Sequence, residues 1–510
     1  MKNTIMVILD GWGIGQEDEV NPIYTAKTET IDYLMKNFPV GSLKASGLSV
    51  GLPWGEKGTS EVGHLTLGAG RVVDQHYKKI NKSIENGKFF KNKALKKSFK
   101  HVKKNSSSLH LAGLLTKGSI HASIDHLKAL LQMAKKENVS RVYLHLFLDE
   151  APSSPEPIPK LIKEIRDETQ KHKTGKIGSL SGKYYALDQN KNWEKTKKVY
   201  EAMTGQTKTK KVNEVFKNSK QKDLKENYIK PTTIHEGGAV KEGDALIFFN
   251  LRKDGINQLA QSFSNNNFQK FPIKDLKNLS ITTMTNYGSE VSSHVAFERT
   301  KVENTLCEVL SKNQKMQIKI TETEKEENIT YFFNGVKNKT FENEYRILLP
   351  SDDLADKSEN PRMKAREITD RAILSLEEGN FSFMLINYAN VDIMAHTGEY
   401  QPTIDAVEFL DQQLSKLVKA ALNKEANLLI TSDHGNGERL FDPQTGKEET
   451  EHSTNPVPIH LVGKEFERRS SENRKIPKVG MLSDIAPTVL DLMNIKKPRE
   501  MSGNSLVDIL

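Results

Sequence analysis

Ile5-Met6-Val7-Ile8-Leu9-Asp10-Gly11 is the stretch on which the fold turns. An unbroken apolar run leaves no polar face, so it reads as a strand buried on both sides, as in a parallel sheet covered by helices. A carboxylate stands at its C-terminal end. The pattern returns far along the chain. Phe383-Met384-Leu385-Ile386-Asn387-Tyr388 leads to Asp392, and Asn427-Leu428-Leu429-Ile430-Thr431 leads to Asp433. Open α/β sheets bind ligands at the C-terminal edge of their strands. The strand-end aspartates therefore predict a shared site. Between the latter two strands, Ile404, Val407, Leu410, Leu414 and Leu417 recur at helical spacing over residues 403 to 421.

Residues 75 to 300 repeat the α/β alternation. Leu109 to Leu115, Val142 to Phe147 and Ala245 to Asn250 read as strands, and His126 to Lys136 as a helix. Residues 204 to 225 are rich in lysine and poor in large apolar groups, which predicts a mostly exposed segment. Leu482 to Leu490 reads as a capped helix. The candidate site residues flank this middle block. One domain inserted into a loop of another is the simplest organisation.

With 510 residues, the chain can form two domains or more. No apolar run approaches the roughly 20 residues that span a bilayer, and the short N-terminal run lacks the build of a signal peptide. The lone Cys307 cannot form an internal disulfide, which fits a reducing cytoplasm. Its amphipathic setting predicts a buried small hydrophobe. The net charge is +9. Lysines are spread along the chain without alternating aromatics, so a solvated surface is expected rather than a nucleic-acid interface.

The chemistry lies in acids and imidazoles. Asp392 and His396 stand one helical turn apart and can aim at one ion. Asp433 and His434 are adjacent at a strand end, where the chain turns. With Asp10 and His452, these groups suit two divalent transition metals. Ser60 lies in Gly58-Thr59-Ser60-Glu61-Val62-Gly63-His64, where the glycines are expected to allow a sharp bend. Metal coordination can turn a serine hydroxyl into a nucleophile, and two metals near a hydroxyl suit phosphoryl transfer. His64 either orients a neighbouring ligand or supports the turn.

Further segments share a common pattern with these. They are Leu9-Asp10-Gly11-Trp12-Gly13, Ser60-Glu61-Val62-Gly63-His64, Gly182-Lys183-Tyr184-Tyr185-Ala186-Leu187-Asp188, Glu322-Thr323-Glu324-Lys325, Tyr331-Phe332-Phe333-Asn334-Gly335, Asp433-His434-Gly435-Asn436, His452-Ser453-Thr454-Asn455-Pro456-Val457-Pro458 and Asp484-Ile485-Ala486-Pro487-Thr488. Together they resemble the cofactor-independent phosphoglycerate mutases of the alkaline phosphatase superfamily. The resemblance implies an alkaline-phosphatase-like outer α/β domain, residues 1–75 and 304–510, and an inserted α/β domain, residues 76–303, that handles substrate. It implies two manganese ions, one on Asp392, His396 and His452, the other on Asp10, Ser60, Asp433 and His434, with no need for 2,3-bisphosphoglycerate. Ser60 would carry the phosphoryl group between the hydroxyls of a small substrate, 3-phosphoglycerate becoming 2-phosphoglycerate in glycolysis. Lys325 would neutralise phosphoryl charge, and His121, Lys183, Arg252 and Lys325 would bind substrate. A cytoplasmic monomer that uses neither nucleic acid nor membrane is expected.

The pattern departs from the family where substrate is handled. Glu150-Ala151-Pro152 stands where the family has Gly-Arg-Asp. Lys183, Gln189 and Gly255 replace arginines, Asn328 a histidine and Lys117 an acid. Lysine does not reproduce arginine's bidentate grip, so a dimetal phosphomonoesterase or a phosphomutase for another substrate is the alternative. Lys183, Lys191 and Lys253 are candidates to compensate.

Overall fold

The computed structural model describes residues 2–119, 121–149, 157–221, 224–265, 267–441, 446, 448–468 and 476–510. The chain divides into two compact units, Met1–Asp74 with Thr300–Leu510, and Gln75–Arg299.

The first unit is built on an eight-stranded sheet. Its order is Glu344–Leu349, Gln317–Glu322, Phe383–Tyr388, Thr4–Leu9, Asn427–Thr431, Val457–Val462, Val40–Lys44 and Lys478–Met481. Only Val457–Val462 runs against the rest. Thr4–Leu9 lies at the centre, paired in parallel with both neighbours. Its alternate side chains feed two cores. Ile5, Val7 and Leu9 pack with Leu410, Leu414 and Leu417 of the helix Tyr400–Asn423. Met6 and Ile8 pack with Val62 and Leu67 of the helix Ser60–Ala69 and Val489 of Ile485–Leu492. All five strand residues are fully buried. Each contributes roughly 1.5–3 kcal/mol of transfer free energy, so two-sided burial explains why the run has no polar member.

The second unit holds a seven-stranded sheet ordered Thr232–Thr233, Lys176–Gly182, Val142–Leu148, Leu109–Leu115, Ala245–Phe248, Ser280–Thr283 and His294–Val295. All neighbours are parallel except the pair formed by Thr232–Thr233. The α/β class and the inward strands read from sequence are those observed. Two local readings change. Val212–Gln221 is a helix inside the lysine-rich segment, because Val212, Val215 and Phe216 form a short apolar stripe against the core. The C-terminal helix begins as a 3-10 turn, Leu482–Asp484, with the Asp484 carboxylate accepting from the Met481 N–H at 2.9 Å. Cys307 is buried, and burial raises its thiol to about 11, so it packs as a hydrophobe. Among the described residues no helix is long and apolar enough to cross a membrane.

Candidate metal centre and active site

The C-terminal edge of the first unit's sheet gathers its acids and imidazoles. Asp10 follows Thr4–Leu9 directly. The chain then turns at Gly11, whose φ of +76° and whose contact with the Asp392 backbone, 2.8 Å from where a Cβ would stand, exclude a side chain. Asp392 and His396 occupy successive turns of the helix Asn390–Thr397. Asp433 and His434 follow Asn427–Thr431. Ser60 opens the helix Ser60–Ala69, capped by Thr59, whose hydroxyl accepts from the Val62 N–H at 3.3 Å. A phosphoryl group on Ser60 would thus sit at a helix N-terminus, where negative charge is favoured.

The glycines flanking Ser60 act by close approach rather than by bending. Neither has a positive φ. A Cβ on Gly63 would lie 2.4 Å from the Asp433 carbonyl oxygen, and one on Gly58 would lie 2.4 Å from that of Ala45. Their bare backbone lets the serine's helix rest against the loop that carries Asp433.

Ser60 Oγ lies 2.8 Å from His434 Nε2 and 3.1 Å from Asp10 Oδ1. Lys325 Nζ lies 3.2 Å from the same hydroxyl, 2.9 Å from Asp10 Oδ1 and 2.6 Å from Asp392 Oδ2. His434 Nε2 stands between the acids, 3.4 Å from Asp433 Oδ2, 3.5 Å from Asp10 Oδ1 and 3.8 Å from Asp392 Oδ1. His452 Nε2 is 3.5 Å from Asp392 Oδ1, and its ring stacks on His434 at 3.8 Å. His396 Nε2 is 3.4 Å from Asp392 Oδ1 and 3.0 Å from His452 Nε2. All seven metal-ligand candidates and Lys325 therefore meet in one place. His64 joins them. Its Nδ1 lies 2.9 Å from the Ser60 carbonyl and 3.1 Å from Asp433 Oδ2, so it bears on both.

The electrostatics follow from three buried carboxylates converging on one point. Burial lowers a lysine's pKa, but Asp10, Asp392 and Asp433 outweigh it and hold Lys325 above the ordinary lysine range. Burial likewise opposes protonation of His434, yet Asp433, Asp10 and Asp392 bring it up to about 9. Against the same burial, Lys325 and the imidazoles hold Asp392 far below the usual carboxylate range, and His434 and His64 hold Asp433 below it. Burial, and then His434, depress His452.

The donor set fits divalent cations. Carbonyl oxygens can only accept, so His396 Nδ1 donates to Thr450 and His452 Nδ1 to Gly58, each at 2.8 Å. In the neutral rings, both Nε2 atoms are then left as lone pairs facing each other at 3.0 Å beside Asp392. Lone pairs held so close repel unless a cation joins them, and carbonyl-oriented imidazoles with a carboxylate are what a transition metal takes. Asp392, His434 and His452 form one possible ligand group, and Asp10, His64 and Asp433 another.

In the second unit, the substrate-binding candidates lie past the C-terminal ends of the parallel strands. Lys183 follows Lys176–Gly182, and its Nζ pairs with Asp149 Oδ2 at 2.8 Å. Arg252 follows Ala245–Phe248, and its Nε pairs with Asp254 Oδ2 at 2.7 Å. The His121 carbonyl accepts from the Leu251 N–H at 2.7 Å, which ties these loops together. Burial lowers the His121 pKa, and Lys183 and Arg252 lower it further against Asp254 and Asp149. Lys117, in place of a family acid, lies 3.4 Å from Glu164. Gly255 has φ +74°, and a Cβ there would meet the Leu187 carbonyl oxygen at 2.4 Å, so this backbone cannot carry the family's arginine. Glu150, Ala151 and Pro152 lie outside the described residues.

Several functional groups escape the sequence reading. Asn387 Nδ2 donates to Asp10 Oδ2 at 2.9 Å, and Asn436 Nδ2 to Asp392 Oδ1 at 2.8 Å. Ser432 Oγ accepts from the Trp12 N–H and donates to the His434 carbonyl. An asparagine in the otherwise apolar run 383–388 is the one signal that marks such a role.

The chain matches the Metalloenzyme superfamily over residues 2–497 and is a member of it. The 2,3-bisphosphoglycerate-independent phosphoglycerate mutases of Francisella philomiragia subsp. philomiragia and Clostridioides difficile are each 40% identical to it, over 511 and 514 residues that span 99% of both chains. A crystal structure of Leishmania mexicana phosphoglycerate mutase at low cobalt concentration superposes with a TM-score of 0.73 at 25% identity, over 99% of this chain and 97% of that one. Within the superfamily, the chain belongs to the 2,3-bisphosphoglycerate-independent phosphoglycerate mutases.

Proposed function

We propose that the chain interconverts 3-phosphoglycerate and 2-phosphoglycerate through a phosphoserine at Ser60, without 2,3-bisphosphoglycerate, as a cytoplasmic monomer in glycolysis. The supporting observation is the position of Ser60 Oγ, within 3.2 Å of Asp10, His434 and Lys325 at once. The full-length likeness to named mutases favours isomerisation over simple phosphate-ester hydrolysis.

Asp392, His396 and His452 would hold one divalent cation, and Asp10, Ser60, Asp433 and His434 the other, manganese being the expected metal. Bound there, the two ions would acidify the Ser60 hydroxyl and offset phosphoryl charge. The chain's own groups do the rest. Ser60 Oγ attacks phosphorus, and the glycerate oxygen leaves. Lys325 neutralises charge on the transferring group. In the second unit, His121, Lys183 and Arg252 hold the glycerate until its other hydroxyl takes the phosphoryl group back. Lys183 and Arg252 already have carboxylate partners, so substrate must compete with Asp149 and Asp254 for them.

The test is to incubate manganese-loaded protein with 3-phosphoglycerate and to follow 2-phosphoglycerate and free phosphate on the same samples. Isomerisation with little phosphate release is expected. Phosphate released in excess of isomer would replace this reading with that of a phosphomonoesterase.

A further inference from the structure

Glu438 has no place in the mechanism, yet the structure is built around it. Its side chain is buried, at 3% exposure. Oε2 accepts from the Gly13 N–H at 3.1 Å, and Oε1 accepts from Asn455 Nδ2 at 3.0 Å and from the Ser453 hydroxyl. Each contact reaches a segment that bears a proposed metal ligand. Gly13 lies just past Asp10, Ser453 follows His452, and Glu438 stands in the loop that begins with Asp433 and His434.

Glycines make room for this carboxylate. A Cβ on Gly13 would lie 2.2 Å from Glu438 Cδ, one on Gly435 would lie 2.5 Å from Glu438 Oε1, and one on Gly15 would lie 3.0 Å from Glu438 Cγ. The Gly13 and Gly435 backbones thus close on one side chain more tightly than a Cβ allows without a shift, and Gly15 packs beside it. Backbone bonds follow the same junctions. The Ile14 N–H donates to Pro456, the Ser453 N–H to Gly435, and the Asn436 and Gly437 N–H groups to Gly11. These carbonyls and amides fix which loops lie side by side. The carboxylate supplies the link that all three share.

We infer that Glu438 is a positioning residue that ties the Asp10, Asp433–His434 and His452 loops together, and so sets the affinity of the metal centre. The inference rests on the metal centre proposed for the first unit. Groups that orient metal ligands typically change affinity by roughly 10–100-fold when lost. In Glu438→Gln, shape is kept, but the amide NH2 must face the Gly13 N–H or the Ser453 and Asn455 donors. One link breaks in either orientation.

The experiment titrates the full chain with manganese, by calorimetry and by spin resonance of the free ion, alongside thermal unfolding with and without the metal. Glu438→Gln should bind manganese at least about tenfold more weakly, lose most of the metal-induced rise in midpoint, and recover turnover as manganese is raised. Ser453→Ala removes one donor and should give a smaller loss. The double variant should be no weaker than Glu438→Gln, because both changes cut one knot. If Glu438→Gln does not fold, Ser453→Ala and Asn455→Ala carry the test alone. A variant that melts lower by the same amount with and without manganese, yet binds it like wild type, overturns the inference and leaves the metal centre standing. Wild-type protein that takes up no manganese overturns both.

Discussion

Replacing Lys325 by methionine separates the two tasks proposed for this residue. The ammonium lies 2.6 Å from Asp392 Oδ2 and 2.9 Å from Asp10 Oδ1, with the side chain 7% exposed. Methionine keeps the length and apolar stem but removes the charge. Deleting one partner of a buried ion pair leaves the other uncompensated, at roughly 3–5 kcal/mol. For a unit of this size each kcal/mol moves the midpoint by about 2–4 °C, so in chelator the first unit should melt roughly 6–20 °C lower. Two divalent cations would restore the missing positive charge, so saturating manganese should close most of that gap. Catalysis should not recover with it. An ammonium aimed at developing phosphoryl charge contributes about 2.7–4 kcal/mol, comparable to one oxyanion donor, or about 10²–10³ in kcat. The assay is calorimetric melting with chelator and with manganese, beside turnover of 3-phosphoglycerate at saturating metal. A midpoint in chelator that does not move would refute the charge-balance argument. Turnover within about threefold of wild type would refute the role in transfer.

Ser60→Ala should fold and bind metal with modest loss, because Lys325, Asp10 and Asp392 keep one another; turnover should fall by several orders of magnitude, and intact-mass analysis should find no phosphoenzyme. Near-normal turnover would remove Ser60 from the mechanism. Gly255→Ala should destabilise the second unit by about 1–2 kcal/mol from the left-handed backbone alone, measured by urea unfolding, because its φ is +74° and its Cβ would meet Leu187. An unchanged midpoint would show that this loop yields. Burial holds His126 near 4, against 6.5 for an unhindered imidazole. The unfolded chain therefore takes up a proton that the folded chain refuses. Stability is full above about pH 6.5 and falls as pH drops towards 4, by about 3 kcal/mol from this group. His126→Gln should flatten that decline in urea melts at pH 7 and pH 4.5, and parallel declines in both proteins would exclude it.

What the sequence reveals and what it hides differ in kind. Ile5 to Leu9 announces its strand because burial on both faces forbids polar residues, and the first polar group after it, Asp10, must then stand at the sheet edge. Asp392 and Asp433 follow similar strands within a few residues, and the convergence of the three requires only that the strands be parallel neighbours, as they are. Lys325 is different. Nothing in its own segment says that it ends 2.6 Å from Asp392; only the likeness to a family points to it. The groups that orient the acids are hidden more deeply. Glu438, Asn436 and Ser432 lie among glycines and short polar residues, which read as turns, while Glu438 meets Gly13 and Ser432 meets Trp12 across more than 400 positions, and Asn436 meets Asp392 across 44. Gly63 shows the limit of local reading most clearly. Its setting suggests a bend, but it lies inside a regular helix and serves a carbonyl contributed by residue 433. Spacing along a chain reports what neighbours in sequence can do. The need for an absent Cβ is set by whatever backbone arrives opposite, so it becomes visible only when both segments are in place.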